Sequence, residues 1–188
     1  MGAAIEAYDP LWYEEPVPPD DPAAMAQVAR ATRIPVATGE RLSTAAEFAA
    51  VLRAGAASIL QPALGRAGGI WEGRKIAVLA QAFGAQVAPH LYAGPVEWAA
   101  NLQLAAAIPN LLMAETIDTD FHRDLIGGTI RVTGGHVEIG AAPGLGIDFD
   151  EALARAHPWT GEGLHLEMQE APISYSEENV FAGGAPRD

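Results

Sequence analysis

The chain has 188 residues, of which 49% are hydrophobic and 19% charged, and this composition is typical of a globular protein. Its 24 acidic and 11 basic residues give a net charge of −13, which disfavours nucleic acids and anionic membrane surfaces as partners. It has no cysteine, which excludes disulfides, thiolate metal sites and a cysteine nucleophile. Without a long apolar run or the basic start of a signal peptide, we expect a cytoplasmic protein with no membrane partner.

Short β-type runs alternate with Ala-rich helical segments along the first 115 residues, in units of about 25 residues. The predicted strands lie at 10–13, 34–38, 57–61, 86–88 and 111–114. The predicted helices lie at 23–32, 44–53, 70–83 and 96–107. For the second of these helices, Thr44 and Glu47 form a capping-box pattern and Gly55 is placed to end it. This alternation predicts an α/β fold with a parallel sheet.

The last third of the chain has a different pattern. Residues 129–133 and 136–139 alternate on either side of Gly134-Gly135, which predicts a β-hairpin with a two-residue turn. A short helix is expected at 150–157, followed by an irregular tail from Gly161 to Asp188.

Polar side chains stand at the ends of four predicted strands: Glu14, Glu40, His90 and Glu115. The intervals between them are 26, 50 and 25 residues, so they occupy equivalent places in successive or alternate units. In a (β/α)8 barrel such strand ends converge on the active site. An isolated strand-end acid is most often solvated, and a lone histidine is most often structural. Together, however, carboxylate oxygens suit Mg²⁺, and an imidazole beside the metal can act as a general acid or base.

Five blocks of sequence, in this order, resemble the barrel of the mandelate racemase group of the enolase superfamily. They are Tyr13-Glu14-Glu15-Pro16, Thr38-Gly39-Glu40-Arg41, Gln61-Pro62 with Gly65-Arg66-Ala67-Gly68-Gly69-Ile70, Ala88-Pro89-His90-Leu91-Tyr92-Ala93-Gly94-Pro95, and Glu115. The resemblance covers roughly residues 8–150 and is closest to acid-sugar dehydratases of the galactonate type. It implies a partial (β/α)8 barrel with the equivalents of strands four to eight, followed by the hairpin and tail. The implied domains are residues 1–128, the C-terminal part of the barrel, and 129–188, which pack on the barrel or on a partner.

The same resemblance assigns roles to the strand-end residues. Glu14 and Glu40 would be Mg²⁺ ligands after the fourth and fifth strands, and Glu15 would point the other way along the chain. His90 would be the acid/base after the seventh strand, and Glu115 would hydrogen-bond the carboxylate of a sugar-acid substrate. The implied reaction removes the proton α to that carboxylate, forms an enediolate that Mg²⁺ and Glu115 stabilise, and expels the β-hydroxyl to give a 2-keto-3-deoxy acid.

Two departures from the family pattern leave other functions open. The family's Lys pair and its Asp metal ligand would lie before Glu14, and the sequence has only 13 residues there. Ala63 stands where the family usually has an Asp that orients the histidine ring. The alternatives are a racemase or epimerase of a 2-hydroxy acid, which shares the enediolate, and a truncated, non-catalytic fragment. Exposed edges of a partial barrel also predict a homo-oligomer or association with a missing N-terminal half.

Overall fold

The structure is a computed structural model and describes residues 2–117 and 119–158. Four short strands form a parallel sheet in the order in which they occur along the chain. They are β1 (Tyr13–Glu14), β2 (Val36–Thr38), β3 (Ile59–Leu60) and β4 (Gln86–Val87). In their register, Glu14 is opposite Ala37, Ala37 is opposite Ile59, and Leu60 is opposite Val87. The predicted α/β class with a parallel sheet is therefore confirmed.

Helices connect the strands and continue after them. They are α1 (Gly2–Ile5), α2 (Pro22–Ala31), α3 (Ala45–Ala54), α4 (Leu64–Ala67), α5 (Gly69–Ala82), α6 (Pro95–Ala107), α7 (Asp120–Leu125) and α8 (Glu151–Ala156), with a 3-10 turn at Glu6–Tyr8. The four long helices fall where the sequence predicts them. The short helices α1, α4 and α7 were not predicted, since they are only 4 to 6 residues long and show too few turns for a periodic pattern.

The strand predicted at 111–114 is reduced to one parallel bridge between Val87 and Leu111. The Val87 N–H donates to Asn110 O at 2.9 Å, and the Leu112 N–H donates to Val87 O at 2.8 Å. The next rung of this ladder would need an N–H at residue 89, which is a proline and has none. Pro89 therefore ends the pairing after one bridge.

The two faces of the sheet have different cores. On the outer face, Val36, Leu60 and Val87 pack with helix residues in a large apolar cluster that includes Phe48 and Ile76. On the inner face, Ala37, Ile59 and Ala88 form a smaller buried cluster against which Trp12 and Leu112 pack. The sheet is therefore covered by apolar side chains on both faces, as is usual for parallel strands.

Helix α3 begins with the predicted capping box. The Thr44 side chain accepts from the Glu47 N–H, and the Glu47 carboxylate accepts from the backbone N–H of Ser43 and Thr44 at 2.9 and 2.8 Å. These bonds lower the pKa of Glu47, the Ser43 N–H contributing most. At the other end, Gly55 takes a left-handed conformation with φ of 64° and caps the helix, as expected.

We expect Glu47→Gln to lower the free energy of unfolding by less than about 1 kcal/mol at pH 7, because glutamine can also fill this place in a capping box but carries no charge. Because the folded-state pKa of Glu47 is lowered, its contribution is complete above the unfolded value near 4.5 and is lost as the pH falls through the folded value. Urea denaturation of both proteins at several pH values should show curves that converge at acidic pH. An equal difference at every pH would contradict this account, and Glu138→Gln, at an exposed residue after the last strand of the chain's hairpin, is the control.

The region after α7 packs on helix α6. The strands β5 (Val132–Thr133) and β6 (His136–Val137) form an antiparallel hairpin, shorter than predicted, whose turn glycines both have positive φ. Ile126 and Ile130 are buried against Leu91 and Trp98, and Val137, Leu145 and Ile147 pack on the same cluster. The compact unit that contains the sheet ends at Arg155.

The predicted tail at 161–188 lies outside the described residues, and the predicted division at residue 128 stays a prediction. Within 2–117 and 119–158, no helix has the length and apolar character needed to cross a bilayer.

Candidate functional site

The inner face of the sheet carries the candidate side chains to the carboxyl ends of its strands. Side chains two residues apart in a strand point to the same face. Glu14 is two residues after Trp12, Gln61 two after Ile59, and His90 two after Ala88, and these preceding residues all belong to the inner cluster. The period of two therefore places Glu14, Gln61 and His90 on one side of the sheet.

Glu14 is held by two hydrogen bonds to one of its oxygens. Trp12 Nε1 donates to Glu14 Oε2 at 2.9 Å, and Gln61 Nε2 donates to the same atom at 2.7 Å. Gln61 is a buried residue at the end of β3, so its amide is a fixed donor. Because both bonds use Oε2, the other carboxylate oxygen is left for a ligand.

Glu15 points away from this site, as predicted. Its carboxylate accepts from Thr38 Oγ1 at 3.0 Å and from the Arg41 guanidinium at 2.6 Å. Its φ of 35° lies in the left-handed region, so Glu15 lies just outside the extended strand β1, which ends at Glu14. The ion pair with Arg41 leaves Glu14 as the acid that faces the inner side.

The ring of His90 lies between two carboxylates. His90 Nδ1 is 3.3 Å from Glu40 Oε2 and 3.2 Å from Glu115 Oε2. An ionised carboxylate can only accept, so this arrangement favours a proton on Nδ1 and leaves Nε2 to exchange a proton with a substrate. The ring thus has carboxylate partners even though Ala63 offers none.

A cavity of about 190 Å³ brings most of these groups together. Its polar lining consists of Glu14, Gln61, His90 and Glu115, and its apolar lining of Trp12, Ala88, Pro89, Met113 and Ala114. Glu40 is not part of the lining and reaches the cavity through its contact with His90. The structure therefore places three of the four predicted site residues around one cavity and the fourth beside it, while their chemical roles stay predictions.

A close backbone contact sets the spacing of two strand ends. Gly39, directly before Glu40, has φ of 146°, and a Cβ atom there would lie 2.8 Å from the backbone N of Gln61. Only glycine lets the chain pass β3 so closely. The start of the Glu40 loop is therefore fixed against the residue that donates to Glu14.

The donor set has the right chemistry for Mg²⁺, which prefers hard oxygen ligands and uses one or two protein carboxylates with several waters. Glu14 presents such an oxygen to the cavity, and Glu40 lies close by at the His90 ring. In the described parts of the chain, however, no three His, Asp or Glu side chains form a group that could hold a metal ion. Glu14 and Glu40 can thus supply only part of a coordination shell.

Sequence reasoning missed three residues that hold the site. Trp12 and Gln61 donate to Glu14, and Asn101 Nδ2 donates to the backbone carbonyl of His90 at 3.1 Å. The period of two along a strand would have found both Trp12, two residues before Glu14, and Gln61, two residues after Ile59. Nothing in the sequence singles out Asn101, because its partner is defined only by how α6 packs.

Comparisons with known proteins identify the family of this chain. The family model described as Enolase C-terminal domain-like matches residues 1–153. The D-xylonate dehydratase of Haloferax volcanii is 36% identical over 169 residues, covering 89% of this chain and 41% of that protein. The D-galactonate dehydratase of Ralstonia nicotianae is 39% identical over 158 residues, covering 80% and 41%. A crystal structure of a mandelate racemase/muconate lactonizing enzyme-like protein from Roseovarius sp. TM1035 superposes with a TM-score of 0.87 at 70% identity, covering 93% of this chain and 44% of that one.

The chain spans about two fifths of the length of these curated relatives. Its parallel sheet, its helices α1 to α7 and its strand-end acids lie within the matched residues. The chain belongs to the Enolase C-terminal domain-like family and is an acid-sugar dehydratase-like member of the mandelate racemase group of the enolase superfamily.

Proposed function

We propose that this chain carries part of the active site of a Mg²⁺-dependent sugar-acid dehydratase, on a partial barrel equivalent to strands four to eight of the family. The observation that carries the proposal is the single cavity lined by Glu14, His90 and Glu115, with Glu40 at the His90 ring. The similarity to D-galactonate and D-xylonate dehydratases supports dehydration as the reaction and a small hydroxy acid as the substrate.

His90 and Glu115 perform the proton chemistry in this proposal. With Nδ1 against the two carboxylates, Nε2 of His90 faces a substrate as the atom that gives a proton to the departing β-hydroxyl. In this proposal Glu115 hydrogen-bonds the carboxylate of the substrate, with a proton between the two carboxyl groups because two ionised carboxylates have no donor. Both side chains line the cavity, so one bound substrate reaches both.

Glu14 and Glu40 would hold Mg²⁺, with further ligands from outside these two residues. When bound, the metal supplies positive charge beside the carboxylate of the substrate, where negative charge develops. Trp12 and Gln61 keep the Glu14 carboxylate from turning away, since both bonds fix the same oxygen. The ion pair of Glu15 with Arg41 keeps that neighbouring acid out of the shell.

Two alternative functions differ from the proposal in measurable ways. A racemase or epimerase of a 2-hydroxy acid would use the same proton abstraction but would form no keto acid. A non-catalytic fragment is favoured by the absence of a three-residue metal group in the described ranges.

For association, we propose that the outer edge of β1 pairs with further barrel strands, which come from a second copy or from an N-terminal barrel half. Size exclusion with light scattering tests this proposal.

We expect the purified chain to bind Mg²⁺ in isothermal titration, and Glu40→Gln to weaken binding by at least about tenfold because a ligand oxygen is lost. Glu72→Gln, which removes an acid on α5, should leave binding unchanged.

Sugar acids are then screened for conversion in two ways. Semicarbazide detects 2-keto products, and polarimetry detects a change in optical rotation. A keto product that requires both Mg²⁺ and His90 supports dehydration, and a change in optical rotation alone supports epimerisation. A folded chain with neither binding nor product would contradict the proposal and support the non-catalytic fragment.

A further inference from the structure

The peptide group between His90 and Leu91 is held at both of its polar atoms. Its carbonyl, that of His90, accepts from Asn101 Nδ2 at 3.1 Å. Its N–H, that of Leu91, donates to Glu115 Oε2 at 2.6 Å. The preceding N–H, that of His90, donates to Pro62 O at 3.2 Å. The backbone on both sides of the candidate acid/base is therefore fixed by hydrogen bonds.

The Asn101 side chain is a rigid anchor for this peptide group. Asn101 lies in the middle of α6 and is fully buried, beside Trp98 and Leu102 on the same helix. Its Oδ1 has no hydrogen-bond partner among the described residues, so the bond to His90 is the one that sets the direction of the amide. An apolar side chain would fill this core position without leaving a polar atom unpaired. The bond to His90 is thus the physical reason for an asparagine here.

We propose that Asn101 is a positioning residue that places His90 and Glu115 together. In a planar trans peptide the C=O and N–H bonds point in opposite directions. When Asn101 draws the His90 carbonyl toward α6, the Leu91 N–H must point outward, where it meets Glu115 Oε2. That same oxygen lies 3.2 Å from His90 Nδ1. One buried amide therefore sets the backbone of His90 and, through the opposite end of the peptide, the carboxylate at its ring.

Glu115 depends on this peptide for its place. The side chain is half-exposed, and it follows a segment that pairs with the sheet through a single bridge. Without the Leu91 N–H, an exposed carboxylate would be free to turn into solvent, since ion pairs at the surface hold side chains only weakly. The chemical roles of His90 and Glu115 rest on the proposed function, but the link from Asn101 to Glu115 does not.

Hydrogen exchange of the Leu91 amide, followed by NMR on the full chain without metal or substrate, tests the link. In Asn101→Ala we expect this amide to exchange about tenfold faster, or more, than in the wild-type chain, relative to the Leu112 amide of the sheet. Asn110→Ala is the matched control. Asn110 is also buried at its side chain and also donates from Nδ2 to backbone carbonyls, those of Ala77 and Ala85, but does not contact the His90 peptide. Leu91 exchange that is unchanged in Asn101→Ala, or equally fast in both variants, would overturn the proposal.

A second variant tests the link from its exposed end and does not disturb the core. Glu115→Gln replaces the acceptor of the Leu91 N–H with a weaker one, and we expect the Nδ2 protons of Asn101 to shift and to exchange several-fold faster. Glu138→Gln, on the exposed region after β6, should leave them unchanged. Unaltered Asn101 protons in Glu115→Gln would show that the two ends are independent and would overturn the proposal. Since neither readout needs Mg²⁺ or a substrate, failure of the proposed activity leaves this test intact.

Discussion

Replacing Trp98 by alanine is expected to lower the free energy of unfolding by about 3–5 kcal/mol, the range for large aromatic residues in a core. Of the side chains in the described ranges, Trp98 is the largest that is fully buried, with 1% of its surface exposed. It packs with Leu91, Ile126 and Ile130, so its removal leaves a cavity between α6 and the segment after α7. The loss would therefore loosen the region that follows the parallel strands as well as the loop after His90.

Urea denaturation followed by circular dichroism measures this loss, with Trp71→Ala as the matched control. Trp71 is on α5 with 68% of its surface exposed, and its ring has one charged neighbour, Lys75 Nζ, at 5.9 Å from the ring centre. Loss of that contact should cost less than about 1 kcal/mol. Similar losses in the two variants would show that the Trp98 cluster does not contribute to stability as its burial indicates.

The second large effect is expected for Gly39→Ala, at about 2–5 kcal/mol of unfolding free energy. Two costs add at this position. The φ of 146° is a conformation that L residues rarely adopt, and the new Cβ would lie 2.8 Å from both Gln61 N and Phe48 Cε1. Phe48 is fully buried and Gln61 N belongs to the backbone, so neither neighbour can move cheaply.

Gly55→Ala separates these two costs. Gly55 also has a positive φ, of 64°, but a Cβ there would meet no atom within 4 Å. We expect it to cost about 1–2 kcal/mol, the strain of the left-handed conformation alone. Denaturation gives the stabilities, and the indole N–H signal of Trp12 should shift only in Gly39→Ala, because that variant displaces Gln61 and with it Glu14. Equal stability losses, or an unmoved Trp12 signal, would contradict the close contact at Gly39.

The parts of the fold that could be predicted are those set by neighbours in the sequence. The capping box of α3 joins Thr44 to a residue three positions later, and the hairpin turn needs two glycines with positive φ. The prediction of a strand at 111–114 was wrong in length, because that length depends on pairing with Val87, which is 24 residues before Leu111. Its apolar run is typical of a strand, but Pro89 removes the donor that a second rung would need.

The candidate site divides in the same way. Spacing alone predicted that Glu14, Glu40, His90 and Glu115 would lie close together, because each unit repeats about the same length of chain. The partners of these side chains could not be read, since the bond from Gln61 to Glu14 spans 47 residues and that from Leu91 to Glu115 spans 24. Contacts between residues so far apart in sequence depend on how the helices pack and on where glycines and prolines stand. The pattern of a single strand does not contain this information.

Because the ladder ends at Pro89, the segment after Leu112 can change in sequence or length without affecting the pairing of the strands. Residues 113–116 carry Met113 and Glu115 to the cavity, yet they contribute no rung to the sheet. Exchanging or lengthening this segment would change the shape and charge offered to a small molecule without removing a strand pairing. A protein engineer would begin here and would keep Glu115, whose bond from the Leu91 N–H ties the segment to the site.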